Sequence, residues 1–299
     1  MTLYPLDLHF LGFERAIGVY VVETDDGPAL FDCGPSTTLP RLEECLRELG
    51  LELTDIRHLL LSHIHLDHAG AAGAILRRHP ELTVWVSEIG APHLVEPSRL
   101  EASARRLYGA DFDRFWGELA PVPGRNVQIA AGDVLGWDAF PSPGHASHHV
   151  CYLRDGVLLA GDACGVRIQP QRYVLPVSPP PDIDVEAWHA TIAEIERRAP
   201  ECLALIHFGV ETDVADHLTR LGQELDLWAA WVRDGLDQDA FVARAREAAG
   251  ADADHYDHVA SFSQSWLGLR RYWDKRAEDE VSRTSPVRRA VTDEAESGH

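Results

Sequence analysis

Lysine is almost absent from this chain. It occurs once, at Lys275, and every other basic side chain is arginine. The 27 basic residues face 48 acids, so the 299 residues carry a formal charge of −21. A surface this acidic repels polyanions, and the short pairs Arg77-Arg78, Arg105-Arg106 and Arg197-Arg198 are flanked by acids, so nucleic acid is not expected as a partner. The five cysteines, Cys33, Cys45, Cys151, Cys164 and Cys202, form no C-x-x-C pair and leave an odd count. That excludes the usual disulfide framework and fits a reducing compartment. No apolar run approaches the length that spans a bilayer. The opening MTLYPLDLHFLGF has neither the basic start nor the small-residue cleavage site of a signal peptide. These absences predict a cytoplasmic protein with no membrane and no nucleic-acid partner. There is also no internal repeat.

What is present is a substantial apolar fraction, 45% of the residues, enough for one large domain or a domain plus an addition. Through residue 210, strand and helix signals alternate. Ala16 to Glu23 and Ala29 to Phe31 predict paired strands joined at Asp25-Asp26-Gly27. Ser36 is placed to cap a helix through Gly50 that carries Leu39, Leu42, Leu46 and Leu49 at helical spacing. Further strands are expected at Arg57 to Ser62, Leu82 to Val86, Val127 to Phe140, Val150 to Arg154, Val157 to Ala160 and Cys202 to Ile206. Helices are expected at Ala69 to Arg78 and Val185 to Arg198. Gln169 to Asp182, rich in proline, must be a loop. The pattern predicts a mixed α/β architecture for residues 1–210.

Beyond His207 the periodicity becomes helical. Val214, Leu218, Leu221, Leu225, Trp228 and Val232 make one apolar stripe, and Tyr256, Val259, Phe262, Trp266, Leu269 and Trp273 a second. Residues 211–275 therefore predict a helical addition that covers its stripes with the first domain or with a second copy of the chain, a homodimer. Trp228, Trp231, Trp266, Tyr272 and Trp273 read as core or interface. Residues 276–299 are charged without periodicity and predict a mobile tail.

The chemistry is concentrated in Ser62-His63-Ile64-His65-Leu66-Asp67-His68, which follows an apolar strand and precedes a helix. Residues two apart in an extended segment project to one side, so His63 and His65 can grip one cation. The turn into the helix aims Asp67 and His68 elsewhere, at a second. Imidazole and carboxylate are zinc-type donors, and no thiolate is needed. Three more polar residues directly follow apolar strands, where a scaffold presents ligands rigidly: His145 in Pro143-Gly144-His145, Asp162 after Gly161, and His207.

The ordered set Asp32-Cys33-Gly34, His63 to His68, Pro143-Gly144-His145, Gly161-Asp162 and His207 resembles the metallo-β-lactamase superfamily over about residues 1–210. The resemblance implies an αββα four-layer sandwich with the site at one edge, here with a C-terminal helical addition. By position it implies that His63, His65 and His145 hold a first metal ion. Asp67, His68 and His207 hold a second, and Asp162 bridges the two. Asp32 matches an aspartate that orients a ligand histidine, as such ligands need a partner for their other ring nitrogen. His149 matches a supporting histidine. His148 receives no role, since an exposed loop position explains it at least as well. Cys33 and Cys164 have no base beside them and read as packed small residues.

The expected cofactor is two metal ions, zinc foremost, with iron or manganese as alternatives. Two zinc ions with two aspartates and a bridging hydroxide leave about +1, which polarises a carbonyl or phosphoryl oxygen and supplies a nucleophile at neutral pH. The implied activity is hydrolysis of a small-molecule ester, lactone or thioester, with Asp67 also carrying a proton to the leaving group. A phosphodiesterase on the same two ions, and an iron-dependent redox or sulfur-oxidising enzyme, are the alternatives. The second is weakened because diiron oxidoreductases of this fold resemble the pattern with glutamate where this chain has His65. The glutathione-binding signature of glyoxalase II is not convincingly matched by Arg270, Arg271 and Tyr272. Arg167, Arg172 and Tyr173, in or next to the proline-rich loop, are the expected substrate contacts.

Overall fold

The protein is described from a computed structural model covering residue 3 and residues 5–284. The chain opens with the two-residue strand β1 (Leu6–Asp7) and the hairpin β2 (Gly18–Thr24) and β3 (Gly27–Phe31). Then follow α1 (Leu39–Glu48), β4 (His58–Leu60), α2 (Leu66–Ala69), α3 (Ala72–Arg78), β5 (Thr83–Val86), α4 (Ala91–Val95), α5 (Ser98–Tyr108), α6 (Phe112–Trp116) and β6 (Val127–Ile129). These six strands form one sheet in chain order. The first two pairings are antiparallel and the last three parallel, each parallel step bridged by helical segments.

The second sheet comes from β7 (Gly132–Val134), β8 (Trp137–Pro141), β9 (Val150–Arg154), β10 (Val157–Leu159), then α7 (Val185–Arg198), β11 (Cys202–Leu205) and β12 (Gly209–Glu211). Only the β10–β11 pairing is parallel, and α7 makes that crossover. Its first turn is capped by the Asp184 carboxylate, which accepts from the Ala187 amide. The run Val127 to Phe140, expected as strand throughout, is divided between the two sheets. The chain leaves the first after Ile129 and re-enters the second at Gly132, whose φ of +64° suits glycine.

The inner strands β9, β10 and β11 of the second sheet are largely buried on both faces, so they read as continuous apolar runs. Tyr152, Leu159 and Ala204 point inward and join the cluster with the first sheet, while their neighbours Cys151, Leu158 and Leu203 point outward. Two buried tyrosines pin the sheets together: the Tyr20 hydroxyl donates to the Leu205 carbonyl at 2.8 Å, and the Tyr152 hydroxyl to Leu61 at 2.9 Å. The outward residues pack under Trp188 and Ile195 of α7 and under the last four helices. Those are α8 (Val214–Arg233), α9 (Gln238–Ala249), α10 (Ala253–Val259) and α11 (Phe262–Thr284). Leu218, Leu221, Leu225 and Trp228 of α8 lie in that cluster with Leu203 and Leu205, so the helical segment shares its core with the sheet. The result is helices, sheet, sheet, helices, an α/β sandwich with helices added at its C-terminus.

Several local expectations fail for identifiable reasons. Ser36 does not cap α1; it sits in a 3-10 turn, and its hydroxyl donates to the Trp116 and Glu118 carbonyls. The segment after His207 is not all-helical, since β12 pairs antiparallel with β11. The second apolar stripe breaks at Ala260, whose extended backbone separates α10 from α11. The expected tail boundary at Arg276 falls inside α11, which continues to Thr284. Residues 285–299, the rest of that tail, lie outside the described residues. No described helix is long and apolar enough to cross a membrane.

Candidate metal centre

The end of β4 delivers the first four side chains. Past Leu60 the chain bends at Ser62, reaches His65 in an extended conformation (φ −62°, ψ 154°) and then makes the single turn of α2. His63 and His65 accordingly converge, His63 Nε2 lying 2.9 Å from His65 Nδ1, while α2 carries Asp67 and His68 to the other side. His145 arrives from the β8–β9 connection and places Nε2 2.9 Å from the same His65 nitrogen. Asp162 follows β10, and His207 follows β11. The resulting groups, His63/His65/His145, Asp67/His68/His207 and His63/His68/Asp162, each bring their donor atoms within 4.8 Å of one another.

Two glycines make these placements possible. A Cβ on Gly144 (φ +138°) would lie 2.3 Å from Trp188 Cβ, so only glycine lets α7 close against the His145 loop. A Cβ on Gly161 (φ +49°) would lie 2.6 Å from His149 Nε2 and from Ser62 Cβ.

Asp162 joins the two clusters with different oxygens. Its Oδ2 is 3.4 Å from His145 Nε2, and its Oδ1 is 3.4 Å from His68 Nε2 and 3.5 Å from His207 Nε2. Asp67 Oδ2 is 3.5 Å from His68 Nε2 and 3.4 Å from His207 Nε2. These separations are long for hydrogen bonds. They match the ~3.4 Å between two donors that each stand ~2.1 Å from one tetrahedral ion. His68 Nε2 and Asp162 Oδ1 are buried and have no hydrogen-bond partner. A buried nitrogen and carboxylate oxygen left this way are costly unless a cation sits between them. The residues therefore fit a metal centre, with nitrogen and oxygen donors only.

The opposite ring nitrogens are tied from behind. The Asp32 carboxylate, fully buried, accepts from His68 Nδ1 at 2.7 Å, from the Ser62 amide at 2.7 Å and from the Ser62 hydroxyl at 2.7 Å. His145 Nδ1 donates to the Val177 carbonyl at 2.7 Å and His207 Nδ1 to Ala16 at 2.6 Å. His149 Nε2 accepts from the Asp162 amide at 3.1 Å, which leaves its Nδ1–H to donate to Ser142 Oγ at 2.7 Å. It thus steadies the backbone that carries Asp162. Ser62, Ser142 and the two carbonyls carry no sequence signal of their own.

Charge follows position. Burial, then neighbouring imidazoles, push His63 and His65 well below the usual histidine range. Burial opposes protonation of His68 and His207 as well, but Asp162 and Asp67 outweigh it and both shift upward. For Asp67 and Asp162, burial is overcome chiefly by His68, and both stay ionised. His148 is no exposed loop residue. It is 9% exposed, its ring lies 5.5 Å from that of His65, and burial holds its imidazole down to about 4. The thiols of Cys33 and Cys164 are buried and shifted upward by burial, as packed residues should be.

Above the clusters opens a cavity of about 660 Å³. Its floor holds His65, Asp67, His145 and Asp162; its walls come from α5, from the 177–182 half of the proline-rich loop and from the α10–α11 junction. None of the three expected substrate contacts lines it. Arg167 is turned into a buried pair with Glu211 (2.7 Å), Arg172 binds Asp216 (2.8 Å) on the surface, and Tyr173 packs edge-on against Tyr256. All three precede the part of the loop that reaches the cavity. Arg270 and Tyr272 are likewise engaged elsewhere, with Asp274 and Glu186.

The α/β sandwich thus gathers these histidines and aspartates at the ends of strands from both of its sheets. The family model of the metallo-beta-lactamase superfamily matches residues 14–207, and the chain belongs to that superfamily. Among curated relatives, it is 24% identical over 208 residues to the uncharacterized protein YobT of Bacillus subtilis, covering 64% of this chain and 82% of that one. It is 26% identical to an N-acyl homoserine lactonase of Bacillus sp, covering 51% and 62%. It is 27% identical to a coenzyme F420H(2) oxidase of Methanothermobacter marburgensis, covering 51% of this chain but 36% of that protein. The solved structure of a metallo-beta-lactamase superfamily protein from Sulfolobus tokodaii superposes with a TM-score of 0.63 at 21% identity, covering 90% of this chain and 97% of its own. That likeness extends the shared fold into the C-terminal helices.

Proposed function

We propose that the protein is a hydrolase with two metal ions, zinc foremost, that cleaves a small ester, lactone or thioester. The observation that carries this reading is the set of five nitrogen–oxygen separations of 3.4–3.5 Å by which Asp162 and Asp67 knit both clusters together beneath the cavity. His63, His65 and His145 would hold one ion, Asp67, His68 and His207 the other, and Asp162 both. The bound ions would supply a Lewis acid for the substrate oxygen and a water acidic enough to attack at neutral pH. Asp32 and Ser62 keep the ring of His68 in place, and His149 does the same for Asp162. Asp67, whose side chain is 21% exposed and faces the cavity, is placed to carry a proton to the departing group.

The lactonase similarity supports hydrolysis, whereas the oxidase similarity favours an iron-dependent redox reading. One experiment separates them. Fully loaded protein should contain two ions per chain by elemental analysis and should hydrolyse members of an ester, lactone and thioester panel in zinc without oxygen. His207→Ala should lower the count toward one. A single ion in saturated wild type ends the two-metal reading, and activity only with iron and oxygen replaces hydrolysis by redox chemistry.

A further inference from the structure

The cavity has one chemical feature that hydrolysis as such does not require. Helix α5 lays two lines of side chains along it. Leu100 and Leu107 are half-buried, and Arg99 and Arg106 are exposed at the opening. Each pair is seven residues apart, two turns of helix, so its members share a face about 10 Å apart. Arg105, next in sequence to Arg106, is engaged by Glu101 and Asp113 at 2.8 Å each. Among the described residues, Arg99 and Arg106 make no ion pair. Other exposed arginines, Arg47, Arg125 and Arg271 among them, make none either, but Arg99 and Arg106 are the two arginines that line the cavity of a chain with net charge −21. Asp182, the acid on the cavity wall, is held instead by the Ser147 amide (3.1 Å) and hydroxyl, which both donate to its carboxylate. Apolar side chains of the lining include buried Leu66 and Trp116 and half-buried Val177 and Val259.

We infer that the substrate is an amphipathic anion, with an apolar body inside the cavity and a carboxylate or phosphate at its mouth, bound by Arg99 and Arg106. Guanidinium groups pair with both anions in a planar, forked geometry, and free donors at an opening steer such a molecule inward. The inference rests on the hydrolase reading for the reacting bond, but not for the anion site.

The test uses three hexanoyl thioesters that differ only in the thiol: N-acetylcysteamine (neutral), 3-mercaptopropionate (carboxylate) and coenzyme A (phosphate). At low ionic strength, kcat/KM of the metal-loaded wild type should favour an anionic ester over the neutral one by about tenfold, mainly through KM. In the double variant Arg99→Gln/Arg106→Gln the ratio should fall toward one, whereas Arg99→Lys/Arg106→Lys should keep most of it. Which anionic ester leads assigns carboxylate or phosphate. A ratio near one in wild type, or a ratio untouched by the glutamine variant, overturns the inference. If no thioester or other panel member is cleaved, the hydrolase reading fails, and binding decides the anion site alone. Octane-1-sulfonate, which scarcely coordinates zinc, should then quench tryptophan fluorescence at lower concentration than 1-octanol, with the difference lost in the glutamine variant. Equal affinities overturn it.

Discussion

The two clusters of the candidate centre are built from different chemistry although they share Asp162. His63, His65 and His145 are uncharged donors, all three shifted below the usual histidine range by burial, with neighbouring imidazoles adding to it. Asp67, His68 and His207 are an acid–base set in which the carboxylate and the imidazoles hold each other's charge. The first cluster therefore depends on Asp162 for any negative charge, while the second brings its own in Asp67. Both clusters reach the cavity, the first through His65 and His145 and the second through Asp67.

Removing the shared group should have the largest effect. Asp162→Asn keeps the shape and deletes the charge seen by both clusters. We expect metal content to fall at both sites and kcat/KM to drop on the order of 10³-fold, the scale of several kcal/mol of charge stabilisation. Retention of two ions with activity within tenfold of wild type would mean that the clusters work independently.

Breaking only the second cluster should give a substrate-dependent loss. With saturating zinc, Asp67→Asn should slow an alkyl lactone, whose leaving alkoxide needs a proton, by the ~10²–10⁴-fold typical of general acid–base catalysis. A nitrophenyl ester, whose leaving group hardly needs one, should lose far less. Equal losses on both substrates would leave Asp67 a ligand and nothing more.

The smallest effect comes from a buried histidine in neither cluster. His217 on α8 is fully buried and donates Nε2–H to the Cys164 carbonyl at 2.7 Å, and burial holds its pKa down to about 4. The unfolded chain protonates this residue near its ordinary value of about 6.5, and the native state does so only near 4. The native state thus binds fewer protons between these values, and stability must fall as pH is lowered from about 6.5 to 4, by up to roughly 3 kcal/mol. Urea melts across that window should show a shallower decline in His217→Gln than in wild type; parallel declines would assign the loss to other groups.

How legible all this was in the sequence depended on range. His63, His65, Asp67 and His68 stand within six residues, so strand and helix periodicity alone separate them into two pairs. His145, Asp162 and His207 were visible because each closes an apolar run. Ser62, Ser142 and the Val177 and Ala16 carbonyls were not, because a hydrogen bond to a ring nitrogen depends on tertiary approach and leaves no local pattern. The substrate contacts failed for the same reason. Nearness in sequence to Asp162 pointed to Arg167, Arg172 and Tyr173, whereas the cavity is closed by α5 and by the distant α10–α11 junction. The switch of sheets after Ile129 was hidden because strands on either side of it carry the same apolar signature.

The donors come from both layers of the sandwich: four from the end of β4 in one sheet, and His145, Asp162 and His207 from strand ends in the other. A bound cation is thus a rivet through the two halves of the molecule, and neither half alone holds a full set. Metal supply then enters the folding equilibrium itself. Each ion held by the folded chain and not by the unfolded one adds about 2.7 kcal/mol of stability at a free concentration a hundred times its Kd. In a cell starved of the ion, the consequence would be a shorter-lived protein as well as an idle one.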